Sequence, residues 1–199
     1  MIDKLEPNFS HVFNGIVWNT VASSDEKVLL VEVRKPEEKR VLFSAFNYET
    51  NLFLWRDRQL EEPWWVNASA IVQGIVLFTI YLDTNNPDKK GILAYSLEEL
   101  ELVWWNNDFS ISAVSDNIVH GFSEKYGRRE VVLDLNTGKT LQSPHIHGEI
   151  PEGSLRPQQF FEGHSYFDSV KIFFSQKFNL SPITALEYLE FDSLIFVSC

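Results

Sequence analysis

The residues best suited to bind a metal ion lie close together in the last third of the chain. His145 and His147 are separated by one residue, and Glu149 follows two positions later. If this segment is a strand, both imidazoles point to the same side about 7 Å apart, which suits two ligands of one ion. Glu149 or His164 would supply a third ligand. The spacing suggests a metal-assisted hydrolase or lyase, whereas the Pro and Gly residues around it are more typical of a solvated polar loop.

Paired tryptophans are the second set of residues with a chemical use. Trp64-Trp65 and Trp104-Trp105 each place two indoles in succession, and successive side chains of a strand point to opposite faces. We predict that Trp65 and Trp104 lie in the core and that Trp64 and Trp105 are exposed or cover a neighbouring sheet. Exposed indoles stack on sugar rings or anchor protein interfaces. Trp64 and Trp105 are therefore candidate binding residues, with packing between sheets as the alternative.

Carboxylates at turns are the third set, namely Asp83, Asp88, Asp108, Asp116 and Asp134. Two carboxylates in one cleft could act as general acid and base, but acidic residues in turns more commonly stabilise the turn itself. The chain has no Gly-rich phosphate loop, nucleophile elbow or His-Glu-x-x-His motif. We therefore predict no cofactor, leave the catalytic residues unassigned and favour a protein that is not an enzyme.

The charge balance narrows the classes of partner. The chain of 199 residues carries 17 Lys and Arg against 28 Asp and Glu, a net charge of −11, and residues 61–150 hold most of the acidic excess. No basic patch suited to a phosphate backbone is present, so we expect no nucleic-acid partner. With 44% hydrophobic and 14% aromatic residues, the chain can bury enough apolar surface to fold.

The N-terminal residues and the cysteine content indicate the compartment. The first residues include Asp3 and Glu6 and lack the apolar run of a signal peptide. The longest apolar stretch, residues 71–82, is too short and too mixed to span a bilayer. The single cysteine, Cys199, cannot form an intrachain disulfide. These features predict a cytoplasmic protein with no membrane partner.

An internal repeat organises the first two thirds of the chain. Residues 16–57, 65–106 and 109–142 align, with Trp18 and Trp65 separated by 47 residues and Trp55 and Trp104 by 49. Each copy predicts four short strands rich in Val, Ile, Phe and Tyr with turns between them. The third copy is shorter and has lost both tryptophans.

The repeat resembles the blades of quinoprotein-type and WD-type β-propellers. The resemblance rests on Gly-Ile-Leu-Ala-Tyr-Ser at residues 91–96 and on Asp-Leu-Asn-Thr-Gly-Lys at residues 134–139. The quinone-binding and WD-signature residues are not recognisable, so no functional residue is carried over. The whole chain is also similar to a family of uncharacterised bacterial proteins with no assigned function. Closed propellers have about four to eight blades, so three repeats imply a completing tail, an open stack or association of subunits.

The rest of the chain has a different pattern. Residues 143–164 are a predicted linker, and apolar residues at helical spacing from Tyr166 to Phe178 then predict a helix with Ser165 as its N-cap. Residues 185–198 predict a β-hairpin. The predicted domains are thus β repeats over 1–142, a linker over 143–164, and a helix plus hairpin over 165–199 that packs on the repeats.

These patterns together favour a binding function. We expect a mostly β protein that is a non-enzymatic binding or scaffold module and presents an acidic, aromatic surface to a protein or glycan. The alternative is the metal-assisted hydrolase or lyase that uses His145, His147 and Glu149. Three repeats leave open sheet edges, which natural proteins cover or pair. We expect either the C-terminal hairpin to cover such an edge or a second subunit to pair with it in a homo-oligomer.

Overall fold

The chain forms two compact units, residues 1–154 and 155–199. The computed structural model describes residues 8–141, 158–178, 185–191 and 194–198. These residues form two four-stranded and two three-stranded sheets, all antiparallel, and one C-terminal α-helix. The predicted class, mostly β with a helix near the C-terminus, is confirmed.

The first sheet takes its strands in chain order, which is the simplest arrangement for strands joined by tight turns. Its strands are β1 (Ile16–Ser23), β2 (Val28–Lys35), β3 (Arg40–Asn47) and β4 (Leu52–Arg58). A short 3-10 turn, Pro36–Glu38, joins β2 to β3. The two central strands, β2 and β3, are almost continuously apolar because both of their faces are buried, each in a different hydrophobic cluster.

The second sheet repeats this order with a longer central turn. Its strands are β5 (Val66–Val72), β6 (Ile75–Tyr81), β7 (Lys90–Ser96) and β8 (Leu102–Asn106). Along β6, Val76 and Phe78 belong to one buried cluster, and Ile75 and Leu77 belong to another. This division follows the alternation of side chains along a strand and shows that the sheet is buried on both faces.

Among the described residues, the third sheet has three strands instead of the predicted four. They are β9 (Ser110–Ser115), β10 (Ile118–Ser123) and β11 (Arg129–Asp134), with β10 in the centre. In the described residues the fourth position holds only one bridge, between Leu133 and Thr140. The segment Lys139-Thr140-Leu141 has a single apolar residue, and that residue is 37% exposed. It therefore lacks the buried side chains that would hold a full strand against β11.

The same hydrogen bond recurs at one turn of each of the three sheets, in register with the repeat predicted from the sequence. After the third strand of each copy, a polar side chain accepts the backbone N–H three residues later, as in an Asx or Ser turn. The pairs are Asn47 Oδ1 with Thr50 N at 2.8 Å, Ser96 Oγ with Glu99 N at 3.1 Å, and Asp134 Oδ1 with Thr137 N at 2.8 Å. Their spacings of 49 and 38 residues are those of the sequence repeat.

The three sheets stack face to face. One buried cluster joins the first and second sheets, including Phe43 and Phe78, and another joins the second and third, including Trp104 and Phe109. On the outer side of the first sheet, Phe9 stacks on Phe46 with ring centroids 4.0 Å apart. None of the described sheets closes into a propeller, and three stacked sheets are fewer than the four blades of the smallest usual ring. The resemblance to propeller blades therefore extends only to small antiparallel sheets among the described residues, and whether the repeats close into a ring was left open by the sequence.

The second unit combines one small sheet with the helix. Strands β12 (Gln158–Phe161), β13 (Ala185–Phe191) and β14 (Leu194–Ser198) form the sheet in that order, and α1 spans Ser165–Phe178. The helix and the hairpin agree with the sequence pattern. β12 lies inside the segment that the sequence indicated as a linker. The cap also differs by one residue, because His164 Nδ1 accepts the Tyr166 N–H at 3.3 Å.

Candidate functional site

The predicted metal ligands His145, His147 and Glu149 lie outside the described residues. Within the described part of the chain, no three His, Cys, Asp or Glu side chains come together in a group that could hold a metal ion. The metal-assisted hydrolase or lyase therefore stays a prediction. Metal analysis of the purified protein tests it: stoichiometric zinc that is lost in His147→Ala would support a metal site, and a metal-free wild-type protein would exclude it.

Trp55 and Trp104, at matching positions of the first two copies, connect each sheet to the next. Trp104 is 6% exposed, which confirms its predicted place in the core. Its indole Nε1 donates to the carbonyl of Leu135 in the third copy at 2.7 Å. The indole of Trp55 donates in the same way to the carbonyl of Leu97 in the second copy at 2.7 Å. These tryptophans are structural, because each satisfies a backbone carbonyl of the next copy.

In the first tryptophan pair, Trp64 covers a neighbouring sheet, which is one of its two predicted positions, but Trp65 is not in the core. Trp65 is 43% exposed, and Trp64 is half-buried against the cluster between the first and second sheets. Val66, two residues after Trp64, belongs to the same cluster, so alternation turns Trp65 away from it. The prediction that Trp65 is a core residue was wrong, because Trp65 repeats the position of Trp18, which is itself 58% exposed.

An arginine lies between two indoles where the first and second sheets meet. The Arg34 guanidinium carbon is 5.1 Å from the ring centre of Trp18 and 5.0 Å from that of Trp64. Arg34 Nη2 also donates to the carbonyl of Val66 at 3.0 Å. Cation–π contacts of this kind become stronger as the cation loses water, and the Arg34 side chain is only 13% exposed. We call Trp18, Arg34, Trp64 and the adjoining Glu32 the arginine cluster.

Glu32 is the fully buried member of the arginine cluster. It pairs with Arg34 Nη2 at 2.8 Å, and its other oxygen accepts the Ala68 N–H from the second sheet at 3.1 Å. Burial raises the pKa of Glu32, and the Arg34 charge, the Ala68 N–H and a hydrogen bond from Asn19 oppose that rise only in part. The carboxylate is thus used in holding two sheets together.

The sequence contains a signal for this cluster that matches no catalytic or metal-binding motif. Glu32 interrupts an apolar run, Val28 to Val33, and its two neighbours in the chain are both buried. A carboxylate in the middle of a buried strand needs a cation, because an unpaired buried charge is strongly destabilising. Arg34, two residues later on the same face of β2, is the cation that alternation would select.

Strand β8 carries the other candidate binding residue. Trp105 is 62% exposed, and its neighbours Leu102 and Val103 are 43% and 47% exposed. β8 is the last strand of its sheet, and in the described part of the chain it pairs only with β7. No charged residue occurs within β8. We call this surface, formed by Leu102, Val103 and Trp105, the β8 edge.

Three of the five turn carboxylates act through local hydrogen bonds. Asp83 accepts the Asn85 N–H at 3.0 Å, and Asp134 accepts the Thr137 N–H at 2.8 Å. Asp108 accepts the Ser123 hydroxyl and the Glu124 N–H, the latter at 2.9 Å. These carboxylates stabilise turns, which is the more common use of an acidic turn residue.

The pKa of Asp108 reflects two opposing effects. Partial burial acts to raise it, but the hydrogen bonds from Ser123 and from the Glu124 and Lys125 N–H groups together lower it below the ordinary range. Asp108 lines a cleft of about 620 Å³ whose wall includes Lys90, Asn106, Phe109 and Lys125. Because its oxygens already accept three donors, Asp108 is poorly placed to take a proton from a substrate.

Comparison with known proteins adds a family match but no activity. A family model described as a domain of unknown function, DUF4905, matches residues 22–104. This range begins within β1 and ends within β8, so it covers most of the first two sheets. No curated protein matches the chain. The only α-helix in the described residues is too short to cross a membrane.

Proposed function

We propose that this chain is a non-enzymatic binding module that contacts a protein partner through the β8 edge. The observation that carries the proposal is the 62% exposure of Trp105 beside two exposed aliphatic residues. Large exposed apolar patches on monomeric proteins commonly mark interaction sites, and tryptophan is enriched among the residues that dominate binding energy.

The composition of the β8 edge favours a protein over a glycan. Sugar-binding sites combine an aromatic ring with polar groups that bond to hydroxyls, as ligand sites in general place a few polar groups at defined positions. Within β8, the exposed residues besides Trp105 are Leu102 and Val103, which offer only apolar surface. An apolar centre with a charged rim is instead typical of protein interfaces.

The arginine cluster has a supporting role in this proposal. Trp64 remains a candidate binding residue, but its ring already contacts Arg34 and the core between the first two sheets. We expect Trp64→Ala to reduce thermal stability because it removes those contacts. Trp105 makes no comparable contribution to either buried cluster, so binding and folding can be separated at position 105.

The test compares two exposed positions on equivalent strands. The wild-type chain, Trp105→Ala and the control Leu54→Ala are used as baits against a soluble extract, and the same three proteins are applied to a glycan array. We expect Trp105→Ala to keep the wild-type melting temperature and to lose the captured protein, and Leu54→Ala to keep both. Leu54 is 45% exposed on β4, so it controls for loss of an exposed apolar side chain.

Two results would contradict the proposal. Retention of every captured protein by Trp105→Ala would exclude the β8 edge as the contact surface. Array binding that depends on Trp105, without capture of a protein, would replace the protein partner by a glycan.

A further inference from the structure

The last strands of the first two sheets, β4 and β8, differ in how well they are protected against pairing with another chain. We infer that β8 accepts an extended peptide segment of another protein as an added antiparallel strand, and that this segment has an apolar run followed by basic residues. The inference rests on the proposed function, since it specifies the partner of the same surface. Strand addition supplies affinity through backbone hydrogen bonds and specificity through alternate side chains.

β4, the outer strand of the first sheet, is protected against strand addition. Three of its seven residues are charged, namely Arg56, Asp57 and Arg58. Its pairing with β3 shifts register twice, and Asp57 has a positive φ of 53°. Charged residues and bulges at an edge are the means by which natural sheets avoid pairing with another chain.

β8, the equivalent strand of the second sheet, lacks most of this protection. Its five residues, Leu-Val-Trp-Trp-Asn, carry no charge, and its pairing with β7 shifts register once. None of its residues has a positive φ. An apolar edge with extended backbone is a template for a further strand. Because β4 holds the equivalent place in the first sheet and is protected, we infer that the exposure of β8 serves a purpose.

Acidic residues near β8 favour one direction of the added strand and basic residues at its C-terminal end. Glu98, Glu99 and Glu101 precede β8 and are all exposed, and no ion pair to them occurs among the described residues. An antiparallel peptide would end near these carboxylates. Basic residues after its apolar run would therefore meet opposite charge, which increases the association rate and fixes the register.

The same charges argue against a second copy of this chain as the occupant. Two copies would each bring a net charge of −11 to the contact, and like charges oppose association. If the β8 strands of two identical chains paired, neither strand would supply a basic residue to the glutamates that precede the other, because β8 contains no Lys or Arg. A basic segment of a different protein removes this repulsion.

Synthetic peptides test the inference with the full chain. The probe is a short fluorescent peptide in which three Thr-Val pairs precede two lysines, and binding is followed by fluorescence anisotropy. Two further versions carry N-methyl groups on alternate backbone amides, so that each version blocks one edge of the peptide strand. We expect one methylated version to bind at least about tenfold more weakly and the other to bind like the parent, because an added strand uses a single edge.

Variants and a charge-reversed peptide complete the test. Trp105→Ala should weaken binding of the parent peptide about tenfold, Leu54→Ala should leave it unchanged, and replacing the two lysines by glutamates should weaken it by a similar factor. No binding of the parent peptide, or equal binding of both methylated versions, would overturn strand addition. Either result would leave the proposed function standing if Trp105 still controls capture of a protein.

Sedimentation tests whether a second copy of this chain occupies the β8 edge. The wild-type chain should sediment as a monomer in the absence of peptide. A dimer that Trp105→Ala dissociates would show that a second copy occupies the β8 edge, and would overturn the inference even if the peptide competes with it.

Discussion

The two interfaces between neighbouring sheets are built from the same repeat but differ in polarity. Between the first and second sheets lies the buried pair of Glu32 and Arg34, with hydrogen bonds to Ala68 and Val66. Between the second and third sheets the buried cluster consists of apolar side chains, and no ion pair among the described residues crosses it. One unit can therefore stack on its copy with or without buried charge.

The difference shows what the charged interface adds. Apolar packing tolerates small shifts because burial depends on area and not on direction. The Glu32 carboxylate and the Arg34 guanidinium instead bond to particular backbone groups of β5, which fixes the position of β5 relative to β2. We propose that this pair specifies one arrangement of the first two sheets, which is the best-supported use of buried polar groups.

The largest expected effect comes from breaking the buried pair. Glu32→Ala should reduce the free energy of unfolding by about 3–5 kcal/mol, because it leaves the Arg34 guanidinium buried without its counter-charge. Urea unfolding followed by tryptophan fluorescence measures the change. A double variant, Glu32→Met with Arg34→Met, should recover at least about half of the loss. If the double variant is no more stable than Glu32→Ala, charge is not the cause of the effect.

The matching tryptophans compare the two interfaces directly. Trp104→Phe removes the hydrogen bond to the Leu135 carbonyl from a buried site, and should cost about 2–3 kcal/mol through the unsatisfied carbonyl and the lost volume. Trp55→Phe removes the same bond to Leu97 at a partly buried site and should cost about 1 kcal/mol less. Thermal and urea unfolding of both variants check the order. Equal losses would mean that the interfaces depend on these bonds to the same extent.

The contribution of Asp108, in the segment that links β8 to β9, to the free energy of unfolding should depend on pH. Asp108→Asn should reduce stability by about 1–2 kcal/mol at pH 7, since the carboxylate accepts three hydrogen bonds. The pKa of Asp108 is lowered in the folded chain, so its contribution is present above the unfolded value of 3.8 and is lost as the pH falls through the lower folded pKa. The difference between wild type and variant should shrink below pH 3.8. A difference independent of pH would show that charge plays no part.

The smallest effect is expected at the exposed side of the arginine cluster. Trp18→Ala removes one of the two indoles on Arg34, and should cost about 0.5–1 kcal/mol because Trp18 is 58% exposed. Trp18→Phe should keep part of the cation–π contact and lose less. A loss as large as that of Glu32→Ala would indicate that Trp18 holds the first interface together in its own right. Thermal unfolding at low and high salt measures both variants.

The local features of the repeat could be predicted because they depend on short stretches of sequence. Apolar runs and turn residues gave the first two four-stranded units, and the helical spacing from Tyr166 gave α1. The full fourth strand predicted for the third copy is absent from the described residues because its last segment has little to bury. β12 was missed because Gln158 and Gln159 weaken its apolar pattern, and its partner β13 is distant in sequence.

The candidate site could be predicted only in part. Alternation correctly separated the two members of each tryptophan pair, and it placed Trp104 inside. It could not say which member of the first pair is buried, since Trp64 packs against the core between the first two sheets and against Arg34, which lies 30 residues away in the first sheet. Whether Trp105 binds a partner stays a prediction for the experiments above.

By itself, the sequence determined the four-strand unit, its repetition and the acidic character of the chain, because periodicity, turn chemistry and charge are properties of neighbouring residues. Only the tertiary structure decided that Glu32 would be buried against Arg34, that Trp65 would be exposed, and that β8 would be left as an apolar edge while β4 is charged and irregular. These outcomes depend on which side chains meet across the stacked sheets. Such meetings are set by packing and by the burial of charge over distances that no short segment of sequence specifies.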